Sequence, residues 1–284
     1  MVCSVSVSSK LLKLKFQILL MTICLNYIFI DMLHAQIPVP INIQINKVFG
    51  DFEKLLQEEE IKMPPLYGNI QAVKRNLENI KKLIRTELQN AQGFQIDFIP
   101  QYELGTQKNV PKWAHDSIER YQKAVKGLLV KSNYDLIGWE GTSLDTINHM
   151  NFKNEVLKNW YEVAPNFRMD TSYFFVWYAS QYAWQDGVLG YWALHPKANL
   201  TGLQESSLWK LNVKANELDT QFSLYVSELR SYVAMAKILR AIKNNPNKKS
   251  RTVMVMGAWH QKDIMLIVKA LGIKVNIINV QKNY

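Results

Sequence analysis

The chain has 284 residues, 48% hydrophobic and 20% charged, the make-up of an ordinary globular protein and not of a disordered or fibrous one. That length supports one large domain or two small ones with a proper core, so neither disulfides nor a structural metal is required for folding. The net charge of +10 raises the question of an anionic partner, and its distribution bears on the answer.

Residues 1–35 stand apart from the rest. Lys10, Lys13 and Lys15 form a basic stretch, and Phe16 to Ile30 is an apolar run broken only by Gln17, Thr22 and Asn26. Leu33-His34-Ala35 before Gln36 resembles a signal-peptidase cleavage site. The run is short for a membrane span of roughly 20 residues, which favours a cleaved signal over an anchor. The sequence therefore predicts export, to a periplasm or the outside, with no transmembrane span in the mature chain. Both cysteines, Cys3 and Cys24, lie in this segment, so the mature chain has no disulfide, thiol nucleophile or Cys-ligated zinc. Between Lys237 and Tyr284 ten Lys or Arg face the single acid Asp263. Export argues against nucleic acid as the partner of this charge, and the lysines read as solvated helix faces.

From Val48 to Glu60, and again from Asn69 to Ala91, apolar residues recur at helical spacing, with Met63-Pro64-Pro65 between them. Residues 36–92 thus form an N-terminal helical segment ahead of an α/β domain over 93–284. The first strand is expected within Phe94–Leu104. A helix opens at Val110-Pro111, with Trp113, Ile118, Tyr121, Val125, Leu128 and Leu129 as its inner face. Tyr134–Trp139 is a short buried strand, parallel to the first by the length of the connection. An aromatic-rich helical insertion covers 150–195. It reads either as a layer packed on itself or as a ligand-lining wall. Leu200–Leu203 is a short strand. A helix from Leu211 to Lys243 should bury Leu218, Phe222, Tyr225, Leu229, Val233, Ala236 and Leu239. Thr252–Met256 is a buried strand, Gln261–Leu271 a helix with Gly272 as its cap, and Ile273–Val280 the last strand. The fold class is α/β, a mainly parallel sheet flanked by helices.

Two segments carry candidate chemistry. Val253-Met254-Val255-Met256-Gly257-Ala258-Trp259-His260 runs a buried strand into glycine and presents His260 where a helix starts. Leu136-Ile137-Gly138-Trp139-Glu140-Gly141 ends a second buried strand in a carboxylate. Ligands bind outside the carboxyl ends of strands in open α/β sheets, so both residues are placed where function sits. A carboxylate there can ligate a metal, orient a water or act as a general base. Among the remaining histidines, His115 and His195 read as helix-surface and loop residues. No P-loop, Gly-x-Gly-x-x-Gly, His-Glu-x-x-His or Gly-x-Ser-x-Gly pattern occurs, which disfavours nucleotide binding, zincin chemistry and α/β-hydrolase serine chemistry.

These segments resemble the superfamily that includes TraB, the Tiki proteases, the haem-binding ChaN lipoproteins and the erythromycin esterases. Gly257–His260 matches the second Gly-x-x-His of that pattern, Glu140 its strand-end glutamate, and Arg230, in Glu228-Leu229-Arg230-Ser231, its helical arginine. The first Gly-x-x-His is not intact: in Gly105-Thr106-Gln107-Lys108 a lysine stands at the histidine position, and Gln204 stands where a second glutamate is expected, with Glu205 beside it. The resemblance implies a hydrolase acting on peptide or ester bonds, metal-dependent in the family. Glu140 would be base or ligand, His260 ligand or acid/base, and Arg230 an anion clamp. Two versions of the centre remain open. In one, Lys108 substitutes for the metal's charge; in the other, His149 joins Glu140 and His260 to rebuild a divalent-metal site. The alternatives to an enzyme are a non-catalytic binder of haem or a similar flat ligand, and an interaction protein whose activity is lost.

Overall fold

A computed structural model describes residues 39–89, 91, 93–102, 111–163, 174–218, 222–245 and 251–280. The signal expected over residues 1–35 and Lys108 lie outside them. Two long helices come first, α1 (Ile41–Lys62) and α2 (Tyr67–Leu88), joined by a 3-10 turn at Pro64–Leu66, where the two prolines bar a continuous helix. Then come β1 (Gln95–Gln101), α3 (Lys112–Ser132), β2 (Leu136–Trp139), α4 (His149–Val163), α5 (Phe174–Tyr182), α6 (Gly187–Trp192) and β3 (Leu200–Gly202). The chain continues through α7 (Ser206–Glu217), α8 (Phe222–Asn244), β4 (Thr252–Gly257), a 3-10 turn at Ala258–His260, α9 (Gln261–Leu271) and β5 (Lys274–Ile277).

All strand pairs are parallel, in the spatial order β3-β2-β4-β1-β5. The α/β class read from the sequence is the class observed. β1 and β2 are parallel but do not touch, because β4 lies between them, pairing Ile96 to Thr252 on one side and Leu136 to Thr252 on the other. Side chains alternate across a strand, so each strand feeds two cores. Ile96, Phe98, Leu136, Met254 and Met256 join α1, α2, α7, α8 and α9 on one face. Ile99, Ile137, Trp139, Val253 and Val255 join α3, α4 and α6 on the other. The N-terminal helices thus share a core with the sheet.

Three sequence expectations change. The single helix expected over Leu211–Lys243 is two, α7 ending at Glu217 and α8 beginning at Phe222, with Leu218 (φ −94°, ψ 3°) already off helical geometry. From Leu229 to Leu239, α8 is buried all round and not along one stripe, since α1, α2, α7, α9 and the sheet enclose it; Tyr225, short of that stretch, is exposed. Trp113, expected on the inner face of α3, is 72% exposed, because the buried face of that helix begins only at Tyr121 and Gln122.

The aromatic insertion packs on itself. Phe152, Phe175 and His149 all pack against Trp192, with His149 stacked on Phe175 at 4.1 Å, and Tyr178 meets Phe152 and Tyr182. Its rings spend their faces on one another, the behaviour of a packed layer. No helix among the described residues is long and apolar enough to cross a membrane.

Candidate functional site

β2 and β4 are neighbours, so their carboxyl ends deliver Glu140 and the Gly257–His260 turn to one rim of the sheet. The backbone N–H of Glu140 still donates to the Val255 carbonyl at 3.2 Å, extending the ladder by one residue and fixing the carboxylate against β4. At the 3-10 turn each residue rotates by about 120°, so consecutive side chains point apart. Trp259 is accordingly 92% exposed, whereas His260 is turned inward and 3% exposed. The third element is α8, which brings in Arg230, itself 7% exposed.

The three groups touch. Arg230 Nη2 donates to Glu140 Oε1 at 2.6 Å, and His260 Nε2 lies 3.5 Å from the same oxygen. The other carboxylate oxygen, Oε2, accepts the Gly257 N–H at 2.5 Å. A Cβ at position 257 would stand 3.2 Å from that oxygen, so glycine is what lets the carboxylate reach the backbone there. Asn212, with its carboxamide turned so that oxygen faces the guanidinium, accepts from Arg230 Nη1 at 3.0 Å. Arg230 Nε is buried and has no partner among the described residues. Behind the histidine, Ser231 Oγ lies 2.8 Å from His260 Nδ1 and 3.1 Å from Asp263 Oδ2. Asp263 sits in the first turn of α9, where the helix dipole favours a negative charge.

Burial pushes the Glu140 carboxyl up, but the facing His260, the Arg230 charge and the Gly257 N–H outweigh it and hold the group at about 2. Glu140 is therefore a poor proton acceptor at neutral pH. It is suited to stabilising positive charge on its neighbours.

The structure brings Glu140, Arg230 and His260 together and leaves His149 apart, exposed at the start of α4 against Phe175 and Trp192. Glu205, beside Gln204, caps α7 instead, accepting from Leu208 N at 2.8 Å, and its other oxygen takes Asn76 Nδ2 at 2.8 Å. Both Glu140 oxygens are already taken by donors, and only one imidazole nitrogen faces them. Among the described residues the one trio of His, Asp or Glu ligand atoms within 4.8 Å of one another is His115, Asp116 and Glu119 on α3. Asp116 and Glu119 there are paired with Lys112 and Lys123. Among the described residues the donor set here, one imidazole and one carboxylate already held by Arg230 and the Gly257 N–H, falls short of the three protein ligands of a zinc site. Ser231, Asp263 and Asn212 were not singled out from the sequence, although Ser231 adjoins Arg230 and Asp263 follows His260 by one helical turn.

Compared with protein-family models, with curated proteins and with solved structures, the chain finds no match in any of the three.

Proposed function

We propose that the chain is an exported hydrolase-like protein acting on peptide or ester bonds without a metal, with His260 as its proton-transfer group. The observation that carries this reading is the meeting of Glu140, Arg230 and His260, from three segments far apart in sequence, at the carboxyl ends of β2 and β4. A centre of this make-up suits acyl transfer to water. His260 takes a proton from the water as its oxygen attacks the carbonyl carbon, and Glu140 stabilises the imidazolium that forms. The imidazolium then gives its proton to the departing oxygen or nitrogen as the bond to carbon breaks. Lys108, outside the described residues, remains in this proposal the expected source of further positive charge.

Turnover of an ester and peptide panel tests the reading. Loss of activity in both Glu140→Gln and His260→Ala, with the circular dichroism of each unchanged, is the expected result. Activity retained in His260→Ala overturns it.

A further inference from the structure

One face of α9 is turned to solvent. Its buried residues, Ile264, Ile267 and Val268, enter the core shared with α1, α8 and the sheet. On the opposite side Lys262, Leu266 and Lys269 are exposed, at the i, i+4, i+7 spacing that sets them in one line along a helix. Trp259 stands one turn ahead of Lys262, in the 3-10 turn that leads into the helix, and is 92% exposed; Leu266 is 51% exposed. The line therefore alternates apolar and cationic side chains over about 15 Å. Asp263, the one acid of α9, is off this line, with its carboxylate 3.1 Å from Ser231 Oγ. Glu228 of α8, the other acid near Lys262, is half-buried. Lys274, exposed at the start of β5, adds a cation just past the Gly272 cap.

Single apolar side chains on a surface are ordinary, but an indole and a leucine interleaved with lysines on one line are not scatter. A nucleic acid would answer the lysines and leave Leu266 uncovered. A lipid surface answers both kinds of residue: the indole and the leucine enter the boundary between headgroups and acyl chains, and the lysines reach anionic headgroups along their flexible stems. We propose that the outer face of α9, with Trp259 at its leading end, docks on an anionic lipid surface. The helix is already held by its buried side, so docking orders no new segment. Trp259 and His260 share one turn, and docking therefore sets the carboxyl end of β4 beside the lipid. The inference does not depend on the hydrolase reading.

The test follows the emission of Trp259 alone, taken as the difference between the full-length native chain and Trp259→Phe, as vesicles are added. With vesicles of mixed phosphatidylglycerol and phosphatidylcholine the emission should move to the blue, and bromine on the acyl chains should quench it about twofold or more. Vesicles of phosphatidylcholine alone should do neither. The signal is local, so attachment through the apolar run Phe16–Ile30 does not by itself produce it. Lys262→Gln combined with Lys269→Gln should raise the half-maximal concentration of anionic vesicles by about 25-fold, fivefold for each charge. Salt at about 0.5 M should weaken the native response in the same direction. Both lysines are exposed, so the variant keeps the fold, which circular dichroism checks. Absence of shift and quenching with anionic vesicles, or an unchanged midpoint in the double variant, overturns the proposal. A Trp259 signal that follows chain concentration and not lipid marks a contact between two copies, and one that follows heparin alone marks a polyanion site; either result overturns the lipid assignment. Failure of the ester and peptide panel leaves it standing.

Discussion

The Glu140–Arg230 pair is buried, and removing one member of such a pair leaves the other charged and unsolvated. Glu140→Gln should therefore destabilise the fold by about 3–5 kcal/mol in urea unfolding, and adding Arg230→Met should recover part of that loss. The pair also sets a pH dependence. The Glu140 carboxyl is held at about 2, below its ordinary value of 4.5, so the folded state releases this proton more readily than the unfolded chain. The stability it contributes is complete above 4.5 and is lost as the pH falls from there toward 2. Unfolding free energies measured across that range should fall more steeply in the native protein than in Glu140→Gln. Equal slopes would mean that the carboxylate is no better stabilised in the fold than in the open chain.

Loops after β2 and β3 are held by backbone approach and by one buried cation. Gly202 lies where an added Cβ would come within 2.4 Å of the Thr142 carbonyl oxygen and 2.7 Å of that of Leu144, both backbone atoms with little freedom to move. Gly202→Ala should therefore cost about 2–3 kcal/mol, more than Gly257→Ala, whose neighbour is the tip of a side chain. Lys237 reaches from α8 to the carbonyls of Ser143 at 2.5 Å and Gln204 at 3.0 Å, and to Asp145 at 3.0 Å. Burial pushes its ammonium down and the Asp145 charge only partly restores it. Lys237→Met should leave two carbonyls without a donor, cost about 2 kcal/mol, and speed proteolytic cleavage within residues 141–148. An unchanged cleavage rate would show that the loop is held by other contacts. At this scale the sequence was readable where a strand is buried on both faces: Leu136–Trp139 and Val253–Met256 are continuous apolar runs, and each leads directly into a residue of the centre, Glu140 and Gly257. Periodicity failed where a helix is covered from every side. Apolar spacing runs on past Leu218, hiding the break between α7 and α8. Ser231 and Asp263 carry no signal of their own, since a serine and an acid at those positions read equally well as ordinary helix residues until α8 and α9 are brought together.

For the molecule as a whole, two cores lie against opposite faces of one sheet, and α8 is the element most fully enclosed by the first of them. Amide hydrogens over Leu229–Leu239 and in β4 should exchange only through global unfolding, whereas the partly exposed α5 should exchange through local opening. Exchange in α8 as fast as in α5 would contradict this ranking.

The middle position of β4 has a further consequence, for the order in which the chain can take shape. The strand that joins β1 to β2 is the fourth made, so neither of the first two meets a ladder partner in the sheet's centre until Thr252–Gly257 has been synthesised. Contacts so distant along the chain form slowly. A polypeptide emerging from the ribosome therefore stays open for most of its length, and a form truncated before residue 251 should show helical content without a cooperative thermal transition. That delay is what a chain needs if it is to be threaded through a translocation channel before it closes on itself.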